Sequence, residues 1–199
     1  MLYVATGKKQ TGKTRWLQAS IEALNNKGVV CSGVITPGIW KSQSDEQAGF
    51  SYEKLGIQAV LLPENQNLLF AERVDIAQKS GRYSSEWASS KANLSWSISD
   101  EALDIINSHL LTIGTTGCQS ITGLLVIDEI GPLEFKRKEG LAQALVLLKE
   151  GPKPLFQHAM IIVREQLLEQ ALDSFSDAWG GSHIISCDEE GRNILISAY

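Results

Sequence analysis

Eight residues near the N-terminus, Gly7-Lys8-Lys9-Gln10-Thr11-Gly12-Lys13-Thr14, fit the pattern G-x-x-x-x-G-K-S/T at every specified position. The pattern constrains the fold because it works only between a strand and a helix. Leu2-Tyr3-Val4-Ala5, just before it, is an apolar run that reads as a buried strand. After it, Leu17, Ile21 and Leu24 recur at i, i+4, i+7. That spacing predicts a helix from Lys13 to about Lys27, closed by Gly28. The residue types suit a phosphate cradle. Glycine at 7 and 12 permits the backbone to turn its N–H groups inward, and the helix N-terminus adds free donors and a positive dipole end. Lys13 supplies a mobile charge for the β- and γ-phosphates, and the Thr14 hydroxyl suits Mg²⁺. Gly7, Lys8, Lys9, Gln10, Thr11, Gly12, Lys13 and Thr14 are therefore the first candidate nucleotide-binding residues. Lys8 has two open readings: a solvated lysine near an anion, or a cation that reaches the partner's nucleotide in a dimer.

A second segment carries chemistry. Leu124-Leu125-Val126-Ile127-Asp128-Glu129 is four apolar residues followed by two acids. The continuous apolar run predicts a strand covered on both faces. Ligands of open parallel sheets sit at the carboxyl ends of the strands, so these acids are expected beside the phosphate loop. Asp128 is the candidate to hold Mg²⁺ together with Thr14. Glu129 is the candidate to orient or deprotonate an attacking water. Gly131-Pro132-Leu133-Glu134 continues the segment; Glu134 reads either as a support for a metal water or a cation, or as a solvated turn residue. Arg164, at the end of the apolar run Met160-Ile161-Ile162-Val163, is a candidate cation for the γ-phosphate, and Arg82 is a second.

The rest of the chain alternates strand and helix. Strands are expected at 29–35, 158–163, 183–185 and 193–196, and helices at 97–113, 139–150 and 165–171. Residues 36–96 are the least regular part. Within them, 49–52 and 59–62 read as a pair of short antiparallel strands, and the serine-rich stretch 78–93 as a mobile loop. Alternation of this kind implies an α/β fold with a mainly parallel sheet, in one domain spanning residues 1–199 with an irregular insertion at about 36–96. Composition agrees. The chain has 199 residues, a hydrophobic fraction of 43%, a charged fraction of 21% and a net charge of −5. That balance excludes collagen and general disorder, and it lacks the basic footprint of a duplex-binding protein, so no nucleic acid is expected as a main partner. Cys31, Cys118 and Cys187 lack disulfide or zinc spacing. His109, His158 and His183 share no ligand spacing. No apolar run approaches the roughly 18 residues of a membrane span, and no signal-peptide layout is seen, so a cytoplasmic location is expected.

Taken together, these segments resemble the small P-loop nucleoside-triphosphatase family that includes the cancer-related nucleoside-triphosphatase of animals and its thermophile relatives. The resemblance is carried by GKKQTGKT at 7–14, GVITP at 33–37, AGF at 48–50, VIDEIGPLEF at 126–135 and IIVRE at 161–165. It implies a RecA-like P-loop fold with a small antiparallel insertion. It also implies Mg²⁺-dependent hydrolysis of ATP, GTP and other nucleoside triphosphates with loose base preference. By position, nucleotide binding maps to 7–14 and to Val126, Ile127, Asp128, Glu129, Ile130, Gly131, Pro132 and Leu133. The chain departs from the family in three places. Lys8-Lys9-Gln10 stand where small residues or proline are usual, Gly38-Ile39-Trp40 where an acid and then a base usually follow GVITP, and Gln47-Ala48 where a base precedes Gly-Phe. Residues 52–96 match poorly. Two further readings stay open: a small-molecule kinase whose lid and acceptor site come from 78–96, and a slow nucleotide-dependent switch or assembly protein.

Overall fold

The computed structural model describes residues 1–8, 10–45, 49–91, 96–117, 123–137 and 139–199. Among the described residues nine strands form one sheet: β1 (Leu2–Ala5), β2 (Val30–Ile35), β3 (Gly38–Asp45), β4 (Gly49–Leu62), β5 (Gln66–Arg73), β6 (Trp96–Ile98), β7 (Gly123–Ile130), β8 (His158–Val163) and β9 (Ser182–Ile185). Their order is β6-β5-β4-β2-β7-β8-β1-β9, with β3 pairing on β4. The block β2-β7-β8-β1-β9 is parallel, and β3 to β6 join it antiparallel through β4. Among the described residues seven α-helices accompany the sheet: α1 (Lys13–Asn26), α2 (Val74–Lys79), α3 (Ala88–Lys91), α4 (Asp100–Thr115), α5 (Ala142–Glu150), α6 (Leu168–Phe175) and, after the last strand, α7 (Glu189–Ile196).

β1, β8 and the first part of β7 are almost wholly apolar because both of their faces are covered, whereas the edge strand β9 leaves Ser182, His183 and Ile184 exposed. Successive side chains alternate between two cores. Leu2, Val4, Leu125, Ile127, Ile161 and Val163 point into one core with α4, α5 and α6. Tyr3, Ala5, Leu124, Val126, Met160 and Ile162 point into the other, with α1 and α7. Each fully buried Leu or Ile contributes about 1.5–3 kcal/mol by leaving water. Position 33 admits only glycine. Gly33, on β2, has φ 131, and a Cβ there would lie 2.1 Å from the Val126 carbonyl oxygen of β7.

Several elements differ from the sequence expectation. Segments 49–52 and 59–62 are the two ends of one long strand, β4, which pairs with β3 at one end and with β2 and β5 at the other. Ser97 lies in a strand, not in a helix. The helix starts at Asp100, where the Ser99 hydroxyl accepts from the Ala102 N–H as an N-cap. The segment expected as a strand at 193–196 is the end of α7. Asp188 caps that helix by accepting from the Gly191 N–H, and Glu189 and Glu190 occupy its first turn. Within 78–93, α2 ends at Lys79 and α3 spans Ala88–Lys91. Serines tie this stretch down locally: Ser89 Oγ accepts from the Ile98 N–H at 2.9 Å, and Ser90 Oγ donates to the Ser84 carbonyl at 2.7 Å. Residues 92 and 93 lie outside the described residues. Cys31 is buried, with its thiol pushed up to about 12, and Cys187 is half-buried; Cys118 lies outside the described residues. No helix among the described residues is long and apolar enough to cross a membrane.

Candidate nucleotide site

A cleft of about 770 Å³ opens at the carboxyl edge of the parallel strands. The loop between β1 and α1 forms one wall. Gly7 has φ 150 and Gly12 φ 88, and Gln10 is also left-handed at φ 61. Gly12 is the N-cap of α1, so the first free N–H groups of the helix face the cleft. Lys13 Nζ donates to the carbonyls of Gly7 (2.9 Å) and Lys8 (2.6 Å), which draws the ammonium across the mouth of the loop. Thr11 Oγ1 donates to the Lys8 carbonyl at 2.9 Å and braces the turn. Gly7, Gln10, Thr11, Gly12, Lys13 and Thr14 all line the cleft. Lys8 is exposed and lines a smaller depression with Arg164, Glu165 and Gln166. Lys9 lies outside the described residues.

The acids arrive from β7. One strand, β8, separates β7 from β1, so the acidic strand and the loop strand stand about 9.5 Å apart. Ile127 pairs with Ile161 but Ile130 pairs with Val163, so β7 carries one extra residue there. That bulge re-aims the side chains between those pairs. Glu129 sits in it with φ 64, a conformation that costs about 1–3 kcal/mol and concentrates at functional positions. Asp128 is turned inward and is 1% exposed. Its Oδ2 accepts from the Thr36 N–H (2.9 Å) and the Thr36 hydroxyl (3.1 Å), and the Thr14 hydroxyl also donates to it. A hydroxyl and a carboxylate joined below a phosphate loop are the oxygen donors that Mg²⁺ takes. Among the described residues no cluster of three or more His, Cys, Asp or Glu could hold a metal alone. A cation here would draw the rest of its shell from phosphate oxygens and water.

Burial pushes the Asp128 carboxyl above its ordinary range, and the nearby Glu129 charge adds to this; the bonds from Thr36 and Thr14 oppose it. With the folded-state pKa raised, the native protein binds more protons than the unfolded chain between the two values. Stability therefore falls as pH rises through that window, and the penalty is complete above it. Asp128→Asn keeps the acceptor and cannot ionise. We expect it to be more stable than the parent at neutral pH, with the gap closing as pH drops toward about 3.9. Denaturant titrations across pH check this; an Asn variant less stable at pH 7 contradicts it. The same variant should bind Mg²⁺-nucleotide more weakly.

Glu129 points outward and is half-exposed. Arg164 Nη2 and Nε donate to its Oε1 at 2.9 and 3.2 Å. The pair is exposed enough that its worth is about 0–1 kcal/mol, but it fixes where the carboxylate sits. Arg164 thus lines the cleft already engaged with Glu129.

Four expected residues do not line the cleft. Val126, Ile127 and Ile130 have no exposure; alternation of the strand sends them into the two cores, so they support the strand and do not line the cleft. Arg82 pairs with Glu72 at 2.7 Å and does not line the cleft, because β5 and the turn after α2 carry it elsewhere. Glu134 lines the cleft but is neither a solvated turn residue nor a partner for a cation. It is buried, and its two oxygens accept from the Gly131 N–H (2.8 Å) and the Leu141 N–H (3.0 Å), pinning the chain after the acidic strand. Gly131, Pro132 and Leu133 line the cleft.

The opposite wall was not read from the sequence. It consists of Thr36, Gly38, Trp40, Lys54, Ile57, Phe70, Trp96 and Ile98, from β3 to β6 and the β2–β3 turn. No local pattern signals it, because its residues meet only through antiparallel pairing across the insertion.

A family model described as NTPase matches residues 2–198. The chain belongs to this NTPase family. Among solved structures, the solution structure of a human cancer-related nucleoside triphosphatase is similar, with a TM-score of 0.58 and 18% identity over 98% of this chain and 93% of that one. At that identity the likeness speaks for the fold: a P-loop α/β sheet with an antiparallel portion. No curated protein sequence matches. Family membership makes this NTPase a hydrolase of nucleoside triphosphates in general terms.

Proposed function

We propose that this NTPase hydrolyses ATP, GTP and other nucleoside triphosphates to the diphosphate and phosphate, with Mg²⁺ and little base preference. The observation that carries the reading is the Thr14–Asp128 contact below the phosphate loop, with Glu129 held by Arg164 on the adjoining bulge. Thr14 and Asp128 would hold Mg²⁺, which when bound neutralises phosphate charge. Loop amides and Lys13 bind the phosphates and stabilise charge on the γ-phosphoryl group. Glu129 accepts the proton of the attacking water. Arg164 orients that carboxylate through its two bonds and acts as a positioning residue.

The phosphate contacts come from backbone amides and lysine, which do not read the base. We expect kcat/KM for ATP, GTP, CTP and UTP to fall within about tenfold, a span of about 1.4 kcal/mol. A single triphosphate turned over a thousandfold better would overturn the loose-selectivity reading. One observation favours a second reading. The apolar wall of Phe70, Trp96 and Ile98 lies beyond the acids from the loop, where a kinase would seat an acceptor. Phosphate release without any acceptor separates the two.

A further inference from the structure

Strand β4 overshoots the parallel sheet. Its pairing with β2 ends at Val60 opposite Ile35, while its other half pairs only with β3. Residue 54 lies six residues beyond that last pair, about 20 Å along an extended strand. The β3–β4 ribbon therefore stands past the sheet's carboxyl edge, where ligands bind. There the Lys54 stem crosses Gly38. A Cβ on Gly38 would lie 2.8 Å from Lys54 Cε and 2.6 Å from Trp40 Nε1, so the missing side chain is what admits both. The ammonium is 5.2 Å from the Trp96 ring centre and 6.0 Å from that of Trp40. Two indole faces thus hold a half-buried cation on the wall facing Lys13, Asp128 and Glu129. Burial lowers the Lys54 pKa, and the charges of Glu129 and Asp128 oppose that, which places its ammonium within their electrostatic reach.

We infer that Lys54 is a second oxyanion-binding group of the cleft, supplied by the antiparallel ribbon, and that it takes the terminal phosphate of a nucleoside triphosphate opposite Lys13. This rests on reading the cleft as a triphosphate site. The division of labour follows from position. Lys13, on the loop, reaches the β- and γ-phosphates. Lys54 approaches from beyond Asp128, so it meets only the end of the chain of phosphates. Gly38, Trp40 and Trp96 are positioning residues for it.

The test compares Lys54→Ala, Lys54→Arg and Gly38→Ala with the parent, after circular dichroism shows each is folded. Calorimetry measures affinity for a nucleoside diphosphate and for a non-hydrolysable triphosphate analogue; kcat/KM is measured beside it. Lys54→Ala should lose about tenfold or more in analogue affinity, keep diphosphate affinity within about twofold, and lose about 10²-fold in kcat/KM. Lys54→Arg should restore most of the analogue affinity. Gly38→Ala should shift the analogue alone, by less. If Lys54→Ala keeps the parent's preference for triphosphate over diphosphate, or loses both affinities equally, the inference is overturned. If the parent itself shows no such preference, the triphosphate reading fails, and this assignment with it.

Discussion

Lys13→Ala abolishes turnover and weakens triphosphate binding more than diphosphate binding. The expectation follows from where the ammonium sits. Its bonds to the Gly7 and Lys8 carbonyls hold it across the loop mouth, where the proposed site would cradle the β- and γ-phosphates. Charge that develops on the γ-phosphoryl group loses its closest fixed cation on the loop. Removing one preorganised donor costs about 10²–10³ in rate, and this one carries a full charge, so a loss on the order of 10³-fold or more is expected. The loop's shape should survive, since Gly7, Gln10 and Gly12 set it by their own backbone angles. Because Lys13 also serves the β-phosphate, diphosphate affinity should fall too, unlike in Lys54→Ala. Calorimetry beside phosphate release checks both halves. Near-normal hydrolysis by Lys13→Ala would remove the phosphate-loop assignment.

Glu129→Gln separates chemistry from binding. Glutamine keeps the size and the acceptor toward Arg164 but lacks a basic carboxylate. It should lower kcat by on the order of 10²–10⁴, the range for a positioned acid–base group, and leave nucleotide affinity nearly unchanged, so that uncleaved ATP is trapped. The neighbouring Asp128 behaves oppositely in binding, because it faces Thr14 and Thr36 in the buried interior while Glu129 faces outward beside Arg164. Single-turnover hydrolysis with parallel calorimetry reads the difference. If Glu129→Gln cleaves ATP within a few-fold of the parent, Glu129 does not handle the water. Glu134 is no substitute, since both of its oxygens are bound to backbone amides.

The parallel half of the fold was legible in the sequence because its signals are local. Two-sided burial makes strands such as Leu124–Ile127 apolar at every position, and the phosphate loop states its own flanking strand and helix. The acidic pair was legible for the same reason: it follows directly from an apolar strand. What sequence could not state is non-local. The extra residue that throws Glu129 outward shows only in register against β8. The Arg164–Glu129 bond joins residues 35 apart. Segments 49–52 and 59–62 looked like two strands because the interval between them mixes polar and apolar residues without a turn, and only pairing with β3 and β5 makes the whole run one strand. The tail at 193–196 looked like a strand because its Ile-Leu-Ile run is β-prone; the Asp188 cap and packing of Leu195 against α1 overrode that preference. Lys54 carried no signal at all. Its role follows from a glycine across the ribbon and two tryptophans from different strands.

The most direct test of the account is phosphate release by the parent protein from ATP with Mg²⁺ and no added acceptor. Glu129, at the bulge, is proposed to direct water onto the γ-phosphorus, with Asp128 serving the metal. The account predicts repeated turnover, with diphosphate and phosphate appearing in equal amounts and both abolished together in Lys13→Ala. Tight binding of ATP with no phosphate released until a small-molecule acceptor is supplied would contradict it, and would assign the apolar wall opposite the phosphate loop to an acceptor in place of the water that Glu129 is proposed to serve.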